Sequence, residues 1–263
     1  MNAQRLNHSS ESSQPTNARG TIWFLGLTLL TLGLNMLIGI LVIMDASPSA
    51  SEAVHLAGAI SFMLIVAAGL IPQLIAPARN VAAFQLALIA GIALMATAAI
   101  VGDPDNHGGQ YSPFDITYLI FFAPLLLLAA LHPARRDLLK AGRLRSPLLL
   151  IATIIAVPLF VYGANQGLIQ RNSWPPSSDP HHNSHWFVMA ELAFPIPLAA
   201  VVAGLGSRGW QVVSWTVPAT LTALGTVSVL FPNAPSSLGT GWGVLAIVAA
   251  IIFLVFRRGE RSR

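Results

Sequence analysis

Residues 179–205 read DPHHNSHWFVMAELAFPIPLAAVVAGL, and this stretch decides how the rest of the chain is interpreted. Six of its first seven residues are polar, three of them histidines, whereas the twenty that follow contain a single ionisable side chain, Glu191. A helix needs about 20 apolar residues to cross a hydrocarbon core of about 30 Å. The stretch therefore predicts a transmembrane helix from His185 to Leu205 with histidines at its mouth.

The composition of the whole chain favours the same class of protein. Hydrophobic residues make up 54% and charged residues 9% of the 263 residues, and the mean hydropathy is +0.68. Soluble domains carry about 25% charged residues. Eight apolar runs are predicted to cross a membrane, at 21–44, 53–75, 81–101, 114–131, 147–163, 185–205, 210–230 and 241–256. We therefore predict an all-α fold, a polytopic integral membrane bundle of about eight transmembrane helices.

The basic residues are distributed unequally between the predicted loops. With a cytoplasmic N-terminus and eight spans, thirteen of the fourteen Lys and Arg residues lie on the cytoplasmic side, and only Arg171 lies outside. Cytoplasmic loops of membrane proteins carry an excess of positive charge. The sequence therefore predicts a protein of the plasma (cytoplasmic) membrane with both termini cytoplasmic. Its expected surroundings are membrane lipids and not nucleic acid.

The two halves of the chain show a similar order of features. His55 opens the second span and Arg79 follows it by 24 residues, while His185 opens the sixth span and Arg208 follows it by 23. This order predicts two tandem four-helix units in the same orientation. The alternative is a coincidence of spacing, because any eight-span protein with short loops looks similar. The predicted division is a disordered cytoplasmic tail (1–20), a first unit (21–131), a basic cytoplasmic loop (132–146), a second unit (147–256) and a basic tail (257–263).

Five residues near the predicted outer face have side chains that bind metals: Glu52, His55, His181, His182 and His185. Residues three or four apart share one face of a helix, as Glu52 and His55 or His181 and His185 would. The first pair has the spacing of the Glu-x-x-His element of di-iron bundles. Imidazole and carboxylate ligands suit zinc, copper or non-haem iron, and paired histidines also suit haem. The alternative is that these histidines are solvated residues of a polar outer loop.

Glu191 and Asp115 are the candidate catalytic carboxylates. Glu191 is the only ionisable residue well inside a predicted span, and such a costly position favours a place beside a cavity or a partner. Pro195 and Pro197 are expected to bend its helix. The alternative is a protonated structural Glu191, hydrogen-bonded to a neighbour such as Asn35. Asp115 opens the fourth span, where an acidic residue also serves as a helix cap.

The composition and the missing motifs exclude several classes of protein. The chain has no cysteine, which excludes disulfides, thiolate metal sites, iron–sulfur clusters and cysteine nucleophiles. No lysine lies in a predicted span, which excludes a retinal Schiff base. The phosphate-binding glycine-rich loop, the His-Glu-x-x-His motif and the Gly-x-Ser-x-Gly motif are absent.

These features favour a metal- or haem-dependent membrane enzyme that acts at the outer face on a lipid or another small apolar molecule. This function predicts that His55 and His185 lie close together, because direct metal ligation requires about 2 Å. Two alternatives stay open. One is a non-catalytic accessory or structural subunit whose outer loops contact partner subunits or a second copy of the chain. The other is a transporter that uses Glu191, which predicts a polar path from this carboxylate toward the cytoplasm.

Overall fold

A computed structural model describes residues 18–45, 50–102, 116–172 and 185–261 of the chain. Within these ranges the chain forms α-helices, two short 3₁₀ turns at Pro77–Arg79 and Arg135–Asp137, and connections, without a strand. The helices are α1 (Ala18–Asp45), α2 (Ala50–Ile75), α3 (Val81–Val101), α4 (Ile116–Leu131), α5 (Ser146–Asn172), α6 (His185–Ala193), α7 (Pro195–Leu205), α8 (Trp210–Leu230) and α9 (Gly239–Arg261). The predicted all-α class is confirmed.

The described helices have the length and composition of membrane spans. Seven segments are long and apolar enough to cross a membrane, namely α1, α2, α3, α5, α8, α9 and the pair α6–α7, while α4 is a shorter apolar helix. Large apolar side chains such as Trp23, Ile75 and Leu150 are exposed on the outside of the bundle. Contiguous apolar surface of this kind marks a face that meets lipid or a partner. The prediction of a polytopic membrane bundle is therefore confirmed, with α4 in the place of the fourth predicted run.

The fifth span is longer than the sequence predicts. Its predicted end is residue 163, but α5 runs for 27 residues to Asn172. Arg171, which the sequence assigns to an outer loop, lies in the last turn of this helix. The predicted end is wrong because Gln166 and Gln170 interrupt the apolar run without ending the helix. Both side chains are buried inside the bundle, with 6% and 3% of their surface exposed.

The sixth span is divided at Phe194. α6 ends at Ala193 and α7 begins at Pro195, which has no amide hydrogen with which to continue the hydrogen-bond ladder of α6. The backbone of Phe194 keeps helical dihedral angles, φ −72° and ψ −43°, so the predicted bend stays a prediction. The break places Glu191 in the last turn of α6.

Each half of the chain packs its helices in the same order of neighbours. In the first half, α1 and α3 each contact α2 and α4. In the second half, α5 contacts α6, α7 and α9, and α8 contacts α7 and α9. The halves meet where α2 packs against α6 and α8, and where α3 packs against α7. The division into two four-helix units stays a prediction.

Several basic connections meet at one end of the bundle, here called the arginine end and defined by Arg145 and Arg208. The guanidinium of Arg145 lies 3.2 Å from the Glu260 carboxylate of α9 and 3.8 Å above the ring of Trp210. Arg208 pairs with Asp137 in the connection between α4 and α5. These contacts join connections that are distant in sequence. The sequence predicts this end to be the cytoplasmic one.

A buried histidine at the arginine end joins three helices. His132 directly follows α4 and is 1% exposed, its Nε2 lies 3.2 Å from Oε1 of Gln73 on α2, and its ring stacks on Phe84 of α3. Its Nδ1 accepts a hydrogen bond of 3.0 Å from the amide of Ala134. The ring is therefore neutral, with its hydrogen on Nε2. Burial, helped by the charge of Arg208, lowers the pKa of His132 to about 4.

We expect His132 to make the protein less stable in mild acid. The unfolded chain protonates this histidine near pH 6.5 and the folded chain only near pH 4. Between these values the unfolded state binds more protons. The stability that the neutral ring contributes is therefore fully present above pH 6.5 and is lost as the pH falls toward 4, by at most about 3.5 kcal/mol. Thermal unfolding in lipid nanodiscs at about pH 7 and about pH 5 tests this. The wild type should lose more stability than His132→Gln, and equal losses would contradict the assignment.

Candidate functional site

α2 and α6 both begin at the end of the bundle opposite to the arginine end, here called the histidine end. Gly58 permits the close approach of these two helices. A Cβ atom at this position would lie 2.6 Å from Sδ of Met189 and 3.1 Å from Cγ1 of Val188. Because Gly58 has no side chain, Met189 and Val188 of α6 pack directly against the backbone of α2.

Three chemically reactive side chains meet at the starts of α2 and α6. Nε2 of His185 lies 3.4 Å from Oε1 of Glu52, and the rings of His55 and His185 contact edge to face with centroids 5.0 Å apart. Each of the three residues is at most 7% exposed. We call Glu52, His55 and His185 the histidine cluster. The structure thus brings together three of the five residues that the sequence selects as metal ligands.

A glutamine that the sequence analysis missed holds the start of α6. Oε1 of Gln170, near the end of α5, accepts a hydrogen bond of 3.1 Å from the amide of Phe187. The first amides of a helix have no partner within the helix, so this side chain acts as a cap supplied by another helix. It positions His185, two residues earlier. The signal in the sequence is the pair Gln166 and Gln170, one helical turn apart near the polar end of α5.

The histidine cluster has the composition of an acid–base site. A carboxylate beside one nitrogen of an imidazole orients the ring, selects its tautomer and stabilises its protonated form. The distance of 3.4 Å between His185 and Glu52 exceeds the usual hydrogen-bond range of about 2.7–3.2 Å. Contacts of this kind are often long without substrate and shorten in the reacting complex. The low exposure keeps bulk water from screening the pair.

The cluster provides part of a metal site. Bonds of about 2.0–2.1 Å to a tetrahedral metal leave two ligand atoms about 3.3 Å apart, close to the 3.4 Å between Nε2 of His185 and Oε1 of Glu52. Yet the described residues contain no group of three or more His, Asp or Glu side chains that could hold a metal ion. Nε2 of His185 and Oε1 of Glu52 have the separation of two neighbouring metal ligands. A metal site would require at least one further ligand. The candidate ligands His181 and His182 lie outside the described residues.

A haem between His55 and His185 does not fit this arrangement. Axial imidazoles lie on opposite sides of the porphyrin, whereas these two rings contact each other directly at 5.0 Å. As these two rings are placed, they do not fit the two sides of one haem, and the haem alternative stays a prediction. Asp115, the second candidate catalytic carboxylate, lies outside the described residues.

Glu191 faces a different space from the histidine cluster. Its side chain is 8% exposed and lines a cavity of about 140 Å³ together with Asn35, Leu94 and Phe121. The amide nitrogen of Asn35 donates a hydrogen bond of 2.8 Å to the carbonyl of Thr31 in its own helix. Among the described hydrogen bonds, none joins Glu191 to Asn35. These two residues therefore share a cavity without forming the contact that the structural alternative predicts.

The cavity begins close to the histidine cluster. On α2 its wall includes Ala59 and Phe62, which lie on the same helix face as His55 because they follow it by four and seven residues. On α6 the wall includes Val188, three residues after His185. Four residues of helix correspond to about 6 Å. The cluster thus lies about one turn from a cavity large enough for a small molecule.

Comparison with protein-family models, curated proteins and solved structures gives no match.

Proposed function

We propose that this chain is a membrane-embedded enzyme that acts at the histidine end on a lipid or another small apolar molecule. The observation that carries the proposal is the buried contact of 3.4 Å between His185 and Glu52, with His55 packed against it. Burying a carboxylate beside two imidazoles is costly, and ionisable side chains kept inside a membrane bundle at such a cost commonly have a function. The position of the cluster at one end of an apolar membrane bundle supports a substrate that is small and apolar.

The reaction we propose is hydrolysis. Glu52 accepts the Nε2 hydrogen of His185, which leaves the lone pair of this ring on Nδ1. From this nitrogen His185 takes a proton from water as the water attacks the substrate carbonyl, and it returns the proton to the leaving group. Glu52 stabilises the imidazolium formed between these steps. His55 packs against His185 and limits the rotation of its ring.

The metal-dependent form of this enzyme uses the same residues. Glu52 and His185 would be two of the ligands, and the chemistry gained would be a bound water of lowered pKa. Metal analysis of the purified protein and of a His55→Ala/His185→Ala double variant separates the two forms. A higher metal content in the wild type than in the double variant would support the metal-dependent form. Equal metal contents in the two proteins would support the metal-free form.

The orientation we propose follows from the basic residues. The arginine end faces the cytoplasm, both termini are cytoplasmic, and the histidine end opens at the outer face of the plasma membrane, as the excess of positive charge predicts. The accessory-subunit and transporter functions stay predictions, as does association with partner subunits or with a second copy.

Hydrolysis of a small apolar ester tests the proposed function. Wild-type protein in lipid nanodiscs should hydrolyse p-nitrophenyl acetate faster than empty nanodiscs do. A Glu52→Gln/His185→Ala double variant should hydrolyse it no faster than empty nanodiscs. Arg171→Gln is the matched control, because Arg171 is an exposed residue in the last turn of α5, near the same end of the bundle, and it should keep the wild-type rate. A double variant as active as the wild type would refute the role of the cluster.

A further inference from the structure

The cavity beside Glu191 has an unusual combination of walls. Residues of five helices line it, namely α1, α2, α3, α4 and α6. Its lining is apolar except for the carboxylate of Glu191 and the amide of Asn35. Nothing in the proposed hydrolysis uses either group. Glu191 is a buried carboxylate without a role in the reaction of the histidine cluster, which favours a separate ligand for it.

The polar groups of the cavity can accept hydrogen bonds. Glu191 as a carboxylate only accepts. The amide nitrogen of Asn35 donates one of its two hydrogens to the Thr31 carbonyl at 2.8 Å, and the amide oxygen of Asn35 is a further acceptor. A ligand that donates hydrogen bonds complements both oxygens. If it also carries a positive charge, it offsets the cost of ionising Glu191 in an apolar site.

The size and the apolar walls of the cavity indicate what kind of body the ligand has beside its hydrogen-bond donor. Its volume is about 140 Å³, and an apolar cavity of about 150 Å³ holds one benzene molecule. The rings of Phe62 and Phe121 and the thioether of Met63 line it. Aromatic faces attract organic cations, whereas hard inorganic cations require about six oxygen ligands. Two oxygen-bearing side chains in an apolar wall do not provide such a shell.

We propose that this cavity binds a small organic amine in its protonated form, with an aromatic or short aliphatic body. The ammonium group pairs with the Glu191 carboxylate and donates to Asn35, and the body lies against Phe62, Phe121 and Met63. This inference goes beyond the proposed hydrolysis, because it uses a different carboxylate and a different ligand. Either proposal stands if the other fails.

Two probes of nearly equal size test the proposal. Benzylamine carries a positive charge at neutral pH and benzyl alcohol does not, so comparing them separates charge recognition from simple filling of an apolar space. Binding is measured by titration calorimetry with the full-length protein in nanodiscs, after subtracting the heat obtained with empty nanodiscs. The wild type should bind benzylamine saturably, with one site per chain.

Variants locate the site of binding. Glu191→Gln keeps the shape of the side chain and removes its charge, so benzylamine affinity should fall at least about tenfold while benzyl alcohol binding stays unchanged. Asp137→Asn removes one negative charge at the exposed arginine end and should bind benzylamine as the wild type does. Ala59→Leu places extra methyl groups in the cavity and should exclude both probes.

Clear outcomes would overturn the proposal. It is wrong if the wild type shows no saturable benzylamine binding, or if Glu191→Gln binds benzylamine as tightly as the wild type. It is also wrong if Asp137→Asn loses as much affinity as Glu191→Gln, because the effect would then be one of net charge. Thermal unfolding of each variant shows that it is folded. If Glu191→Gln does not fold, Ala59→Leu provides the test. If this variant, whose cavity is filled, still binds benzylamine, then the amine binds at another site and the proposal is wrong.

Discussion

Replacing Gly69 with leucine is expected to destabilise the protein severely. A Cβ atom at residue 69 would lie 2.7 Å from Cβ of Ala87, 2.8 Å from its amide nitrogen and 2.9 Å from the carbonyl oxygen of Ala83. Two of these atoms belong to the backbone of α3 and cannot turn aside. Inserting a methylene group into a packed interior typically costs about 1–3 kcal/mol. A whole leucine side chain that forces α2 away from α3 should cost more than that.

The control for this prediction is the same substitution at Gly33. No atom lies within 4 Å of a Cβ built at this residue of α1, so a leucine there meets open space on an apolar helix. The unfolding midpoint and the yield of folded protein in detergent compare the two variants. Gly33→Leu should match the wild type. If Gly69→Leu also matches it, the close packing of α2 on α3 is wrong.

This packing also positions the histidine cluster. α2 carries Glu52 and His55 and packs against both α3 and α6. Small residues at such contacts are a general device of membrane helices, because they let two backbones approach closely. Gly69→Ala is a milder variant that displaces α2 less. We expect it to fold at reduced stability.

Hydrophobic runs predict most of this fold because a membrane requires them. A helix in lipid must satisfy its own backbone hydrogen bonds and present apolar side chains, so span positions follow from composition alone. The break at Pro195 also follows from local chemistry. The end of α5 does not. It depends on Gln166 and Gln170 being buried inside the bundle, and only tertiary packing decides whether a polar residue faces lipid or protein.

The candidate site is predictable to a similar degree. The order of features in the two halves selects His55 and His185, and the structure places their rings 5.0 Å apart. The hydrogen bond between Gln170 and the start of α6 has no signature beyond two polar residues one turn apart. His132 and its partner Gln73 are separated by 59 residues. No periodicity relates residues that far apart, so contacts of this kind appear only in the folded chain.

Replacing His185 with alanine is expected to cost about 3–5 kcal/mol of stability, because it removes an imidazole from beside a buried carboxylate. The more informative result is that of the Glu52→Gln/His185→Ala double variant. Without the carboxylate there is no buried charge to stabilise, so the double variant should be more stable than His185→Ala alone. The coupling between the two residues should lie within the range of about 0.5–3 kcal/mol measured for interacting groups. Denaturant unfolding of the wild type, both single variants and the double variant measures it.

An exposed ion pair provides the control cycle. Lys140 and Asp137 lie 3.0 Å apart at the arginine end, with side chains 68% and 34% exposed, and such pairs contribute at most about 1 kcal/mol. The same cycle with Lys140→Ala and Asp137→Asn should give a much smaller coupling. Equal couplings in the two cycles would show that Glu52 and His185 do not interact in a buried site.

The activity of these variants separates catalysis from packing. Glu52→Gln retains an oxygen that can accept the Nε2 hydrogen of His185, so the ring stays oriented and the protein stays folded. The neutral amide does not stabilise an imidazolium, however, and ester hydrolysis should fall by about 100-fold or more in kcat, with little change in KM. A purely structural pair would instead change stability and leave kcat alone. Because His185 and Glu52 act as one unit, the loss in the double variant should be no greater than that of His185→Ala alone.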